Sequence, residues 1–146
     1  MGSWKIWCDG GCAPTNPGPC SWGALIESPE RERTEHCGFI QPMGTNNIAE
    51  LTAAIESLRR TPEGAEVVLC SDSQYTLRGL KEWLPGWVKK GWRTASGSAV
   101  ANKELWQALH KEYACRKVQL EWVRGHNGHP ENEIADTLAN RGLRSR

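Results

Sequence analysis

The spacing of apolar and polar positions changes part way along the chain. Residues 4–9 (WKIWCD), 20–28 (CSWGALIES) and 33–41 (RTEHCGFIQ) read as strands, and the last two flank a PER turn, which predicts a hairpin. From Asn47 the apolar positions become Ile48, Leu51, Ala54, Ile55 and Leu58, the spacing of a helix running to about residue 60. Residues 65–71 (AEVVLCS) form a short, nearly continuous apolar run that suits a buried central strand. Helical patterns follow over 73–82 and 101–113, and KVQLEWV (117–123) reads as the last strand. Pro130, with acids directly behind it, opens a final helix. The order is β-β-β-α-β-α-α-β-α. Strands alternating with helices in the second half predict a mixed sheet with helices on its faces.

Composition narrows the class. The chain has 146 residues, 24% of them charged and 38% apolar, which fits one globular domain. No run approaches the roughly 18 apolar residues of a membrane helix, and no leader precedes the first strand, so a soluble, cytoplasmic protein is expected. A net charge of +1 gives no global case for a polyanion, so any cationic surface must be local. The six cysteines, at 8, 12, 20, 37, 70 and 115, contain no C-x-x-C pair. Without an export signal they are expected to be free thiols, those at 8, 37 and 70 acting as small apolar strand residues.

Acids recur where elements begin or end. Asp9 closes the first strand and is followed by Gly10 and Gly11; Asp72 closes the fourth in LCSDSQ. Glu50 lies in the first turn of the 47–60 helix, and Asp136 flanks the apolar face of the last helix. Each has an ordinary alternative: a turn for Asp9, a capping box from Asn47 for Glu50, a helix cap for Asp72 and a solvated position for Asp136. Clustered together, four carboxylates would repel one another unless they held a hard divalent cation such as Mg2+. Two such ions about 4 Å apart are an established apparatus for phosphodiester cleavage.

With these residues in view the chain resembles the type-one ribonuclease H family, which cuts RNA in RNA–DNA hybrids. The likeness runs from Trp4 to about Leu143. It is carried by DGGC…NPGP, TNNIAEL, SDSQY, the tryptophan-rich segment WLPGWVKKGWRTASGSAVANKELW, and WVRGHNGHPENEIAD, in that order. It implies an α/β, ribonuclease H-like fold with a five-stranded mixed sheet flanked by helices on both faces. It also implies that Asp9, Glu50, Asp72 and Asp136 are catalytic carboxylates holding two Mg2+ ions, with Mn2+ able to substitute. The products implied are 3′-hydroxyl and 5′-phosphate ends.

The loop RGHNGHPEN contains His126 and His129. A zinc site would need two more ligands. His129 abuts Pro130 and suits packing or capping. The resemblance gives His126 a catalytic role in moving a proton or releasing product, and an imidazole titrates near neutral pH. Glu133 is a weaker candidate for an outer metal shell.

Residues 81–106 interleave Trp83, Trp87, Trp92 and Trp106 with Lys81, Lys89, Lys90, Arg93 and Lys103. Aromatic faces among cations suit a nucleic-acid backbone, although the same rings could simply pack the segment together. In the family this segment grips the DNA strand, and we assign Trp83, Lys89, Lys90 and Trp92 to substrate contact. Recognising RNA requires groups that both donate to and accept from a 2′-hydroxyl. Asn16, Asn46, Asn47 and Gln74 qualify; the resemblance supports Asn16, Asn46 and Gln74 on the RNA side and Thr45 and Asn102 on the DNA side. Cys12 lies in the same first loop and joins the candidate contacts. Two residues before Thr45, where relatives often carry arginine, this chain has Met43. A hybrid-binding module without catalysis and a transposase-like core are the competing readings. The intact acids and His126 oppose the first; the histidine loop and tryptophan segment oppose the second. The expected partner is an RNA–DNA hybrid, bound by a free-standing monomer.

Overall fold

The computed structural model describes residues 2–94, 97–123 and 130–144. Five strands form one sheet in the order β3-β2-β1-β4-β5. β1 (Trp4–Cys12), β2 (Gly18–Glu27) and β3 (Arg33–Gly44) form an antiparallel meander, and β4 (Glu66–Ser71) and β5 (Lys117–Trp122) add parallel strands on the other side of β1. The crossovers are helical: α1 (Asn46–Arg59) joins β3 to β4, and α2 (Gln74–Arg78), α3 (Leu84–Lys89) and α4 (Lys103–Ala114) lie between β4 and β5. α5 (Pro130–Leu143) follows the last strand.

Side chains alternate across β1, so the sheet has a core on each face. Ile6 and Cys8 join the larger cluster with Leu51, Ile55 and Leu58 of α1 and with Trp106 and Leu109 of α4. Trp7 points the other way, to Leu25, Cys70, Val123 and Ala135 of α5. Helices thus cover both faces, as the pattern predicts.

Three local expectations change. β1 does not end at Asp9. It continues through Gly10 and Gly11 to Cys12, because β2 keeps pairing with it (Asp9 with Gly23, Cys12 with Cys20); what stops at Trp7 is the parallel pairing with β4. The cysteines are not all free. That extension sets Cys12 opposite Cys20 with their Cα atoms 4.2 Å apart, and the two form a disulfide. Finally, the helix expected over 73–82 is a longer helical run containing a π-helical turn at Gly79–Trp83. There the indole of Trp106 fills the space where a side chain at position 79 would sit.

The tryptophan segment is largely an aromatic stack. Trp106 is fully buried; its indole N–H donates to the Tyr75 hydroxyl at 3.0 Å, and its ring packs on Tyr75 and Trp87. Trp83 touches Tyr75 and Trp87, and Trp92 touches Trp87 and His110.

Candidate metal centre

The carboxylates converge because of strand register. Trp7 and Cys70 are the last parallel pair of β1 and β4, so Asp9 and Asp72, each two residues further on, reach the same level at that edge. Glu50 arrives from above. Thr45 caps α1: its hydroxyl accepts the Ile48 N–H at 3.3 Å and so takes the role that the capping-box alternative gave to Asn47. The helix then crosses β1 so closely that a Cβ at Gly10 would collide with the Ala49 backbone. Freed from any capping box, the Glu50 carboxylate accepts the Gly10 N–H at 2.7 Å. On the opposite face α5 lies directly on β2: a side chain at Gly23 would strike the backbone of Ala135 and Ala139, and the Ser21 hydroxyl donates to the Ala139 carbonyl. That contact delivers Asp136.

Oxygens of Asp9, Glu50 and Asp72 lie within 4.8 Å of one another. Asp136 lines the same cavity, about 370 Å3 in volume, and hydrogen-bonds Asp9. Burial, then the charges of Glu50 and Asp72, push the Asp9 carboxyl up to about 10. Burial and Asp72 push Glu50 up to about 7, against the pull of hydrogen bonds from Gly10, Asp9 and Ser73. Without a cation the site therefore retains protons. Clustered, half-buried carboxylates with too much negative charge for their space, and only oxygen donors, match the demands of a hard divalent cation.

The remaining predicted residues fall around this cavity or at a distance from it. Cys12 and Asn46 line it. The Asn46 side-chain oxygen accepts the Cys12 N–H at 3.0 Å, and the Asn46 N–H donates to the Asn16 side chain at 3.1 Å, so first turn and helix start form one wall. Asn47, in the first turn of α1, and Gln74, the first residue of α2, are exposed nearby in sequence. Asn102 is set apart, in a left-handed conformation (φ 58°) before α4, its amide donating to Tyr75 at 3.4 Å. Lys89 and Lys90 are exposed at the end of α3, and Trp83 and Trp92 are half-buried in the aromatic stack. Met43 is 65% exposed. His126 and His129 lie outside the described residues. Glu133 lines a separate groove with Glu35, Ile134 and Thr137 and is not among the residues lining the carboxylate cavity.

Ser73 and Asn140 also line the cavity and escaped the sequence reading. Asn140 had a usable signal, lying four residues after Asp136 on the same helix face.

Comparison with known proteins places this geometry. The RNase H family model matches residues 2–144. A ribonuclease H of Halorhodospira halophila is 50% identical over 139 residues, 95% of this chain and 91% of the relative. One from Coxiella burnetii is 48% identical over 138 residues, 94% of this chain and 88% of the relative. The crystal structure of LC9-RNase H1, a type 1 RNase H, superposes with a TM-score of 0.86 at 29% identity, covering 99% of this chain and 74% of the other. LC11-RNase H1 in complex with RNA/DNA hybrid shares the fold, with a TM-score of 0.67 at 20% identity over 97% of this chain and 99% of the other. With a match across nearly its whole length and its acids gathered at one sheet edge, the chain belongs to the RNase H family.

Proposed function

We propose that the protein is a metal-dependent endonuclease that hydrolyses the RNA strand of RNA–DNA hybrids, leaving 3′-hydroxyl and 5′-phosphate ends. The observation that carries this reading is the meeting of Asp9, Glu50 and Asp72, from three different elements, within 4.8 Å. Family membership and the hybrid bound by LC11-RNase H1 support the choice of substrate.

Asp9, Glu50, Asp72 and Asp136 would hold two Mg2+ ions, which when bound supply the Lewis acidity that phosphodiester hydrolysis needs. The chain's own residues do the positioning. The Gly10 N–H orients Glu50 toward the cavity. Asn46, anchored by Cys12 and Asn16, presents one side of the first turn to the RNA strand. Lys89 and Lys90 meet DNA phosphates outside the reacting centre, and His126 moves a proton or aids product release. The same reading makes the chain a single catalytic domain, monomeric and cytoplasmic, with Mn2+ able to replace Mg2+. No helix among the described residues is long and apolar enough to cross a membrane.

The test is incubation with an end-labelled RNA–DNA hybrid, single-stranded RNA and duplex DNA, in Mg2+ and then in excess EDTA. Cleavage of the RNA in the hybrid alone, abolished by EDTA and by Asp72→Asn, is expected. Equal cleavage of single-stranded RNA, or activity persisting in EDTA, would overturn the assignment.

A further inference from the structure

The catalytic cavity has a second kind of chemistry beside its carboxylates. Cys12 lines it and is half-buried, whereas its disulfide partner Cys20 has no exposed surface. A soluble thiolate can reach only the Cys12 sulfur. The surroundings also suit the reduced state: once released, the Cys20 thiol has the Gly18 carbonyl at 3.3 Å and the Thr45 carbonyl at 3.7 Å to accept its S–H.

What the bond closes gives it a role. The turn between the two cysteines carries Asn16, and Cys12 and Asn16 together hold Asn46 through its side-chain oxygen and its backbone N–H. Asn46 directly follows Thr45, the N-cap of α1. Fixing the two ends of this turn therefore fixes one wall of the cavity. Cutting the cross-link restores freedom to the turn, which must then be ordered again on binding.

We infer that Cys12 and Cys20 are a reversible thiol–disulfide couple whose oxidised form locks the 13–19 turn onto the start of α1 and tightens hybrid binding. The binding half of this inference rests on the reading of the cavity as a hybrid site. Reduction uses two equivalents of a thiol. The first attacks the Cys12 sulfur as thiolate, forming a mixed disulfide; the Cys12–Cys20 bond breaks and Cys20 leaves as a thiolate that takes up a proton. The second thiol attacks the mixed disulfide, releasing Cys12 as a thiol and the reductant as its own disulfide.

The experiment compares the full chain after oxidised glutathione with the same chain after dithiothreitol. Intact mass and peptide mapping after alkylation report the bond, melting in EDTA reports the fold, and fluorescence anisotropy with a labelled hybrid in Ca2+ reports affinity. We expect reduction to add two hydrogens, expose Cys12 and Cys20 to alkylation, and lower Tm by about 5 °C. Kd for the hybrid should rise about 3–10-fold, the scale of losing preorganisation in one short turn. Cys20→Ser, which keeps a donor for the Gly18 carbonyl, should bind like the reduced protein and ignore dithiothreitol. Alkylation of all six cysteines after oxidised glutathione, or equal Kd for the two forms, would overturn the inference. Two forms that differ in mass and Tm while neither binds hybrid would establish the couple and refute the hybrid reading instead.

Discussion

Replacing Asp9 by Asn should make the metal-free protein more stable while removing its activity. The unmutated site crowds Asp9, Glu50 and Asp72 within 4.8 Å; at that distance and an effective dielectric of about 20, two unit charges repel by roughly 3.5 kcal/mol. Because the site keeps a proton, only part of this is realised, and we take about 2 kcal/mol as the cost that Asn relieves at pH 8. Asn preserves the shape and can still donate to the neighbouring carboxylates. Both shifted acids are raised, Glu50 to about 7 and Asp9 to about 10, so the folded state binds their protons more tightly than the unfolded chain. Their contribution is therefore fully present below the unfolded values near 4 and is lost as pH climbs through 7 toward 10. The gain from Asp9→Asn should be small at pH 5 and largest at pH 8, where about 2 kcal/mol corresponds to a Tm rise of roughly 5 °C in a chain of this size. Mg2+ should narrow the gap, since it stabilises the intact site more than the one lacking a ligand. The assay is thermal melting by circular dichroism in EDTA at pH 5 and pH 8, repeated in Mg2+. A variant that melts at or below the wild-type temperature at pH 8 in EDTA, or whose gain does not depend on pH, would refute this account of the site.

Three further outcomes are expected. His126→Ala should lower kcat by about 100-fold with KM nearly unchanged, as steady-state kinetics on a hybrid would show; a large rise in KM at constant kcat would make it a binding residue instead. Lys89→Ala with Lys90→Ala should weaken binding to all hybrid sequences and make the slope of log K against log salt shallower by about 1 per lysine, measured by anisotropy titrations from low to high salt. Gly10→Ala should cost about 3 kcal/mol or more in urea unfolding and depress kcat, because the new methyl must displace the Ala49 backbone and, with it, Glu50.

The sequence by itself determined the order of elements and the identities of the acids that the fold gathers. Periodicity is a local property: Leu51, Ala54, Ile55 and Leu58 bury one side of α1 wherever that helix docks, and the apolar run ending at Ser71 suits an inner strand. The four acids were legible as a set because their sequence contexts suggested a shared edge. Their actual meeting depends on pairings that no local window contains. Asp9 and Asp72 are level because β1 and β4 are in a particular parallel register, and Glu50 reaches them because the missing side chain of Gly10 lets α1 approach β1. The same dependence explains the departures. β1 looked finished at Asp9 because Asp-Gly-Gly resembles a turn, but β2 supplies partners as far as Cys12, and that extension brings two cysteines, separated by eight positions in the chain, into covalent contact. Thr45 rather than Asn47 caps α1 because the strand before it runs on to Gly44. The tryptophans were identifiable as a cluster from spacing alone, whereas the packing of Trp106 against Gly79 and Tyr75, which draws most of those rings inward, was decided by where α4 settles on α1 and the sheet.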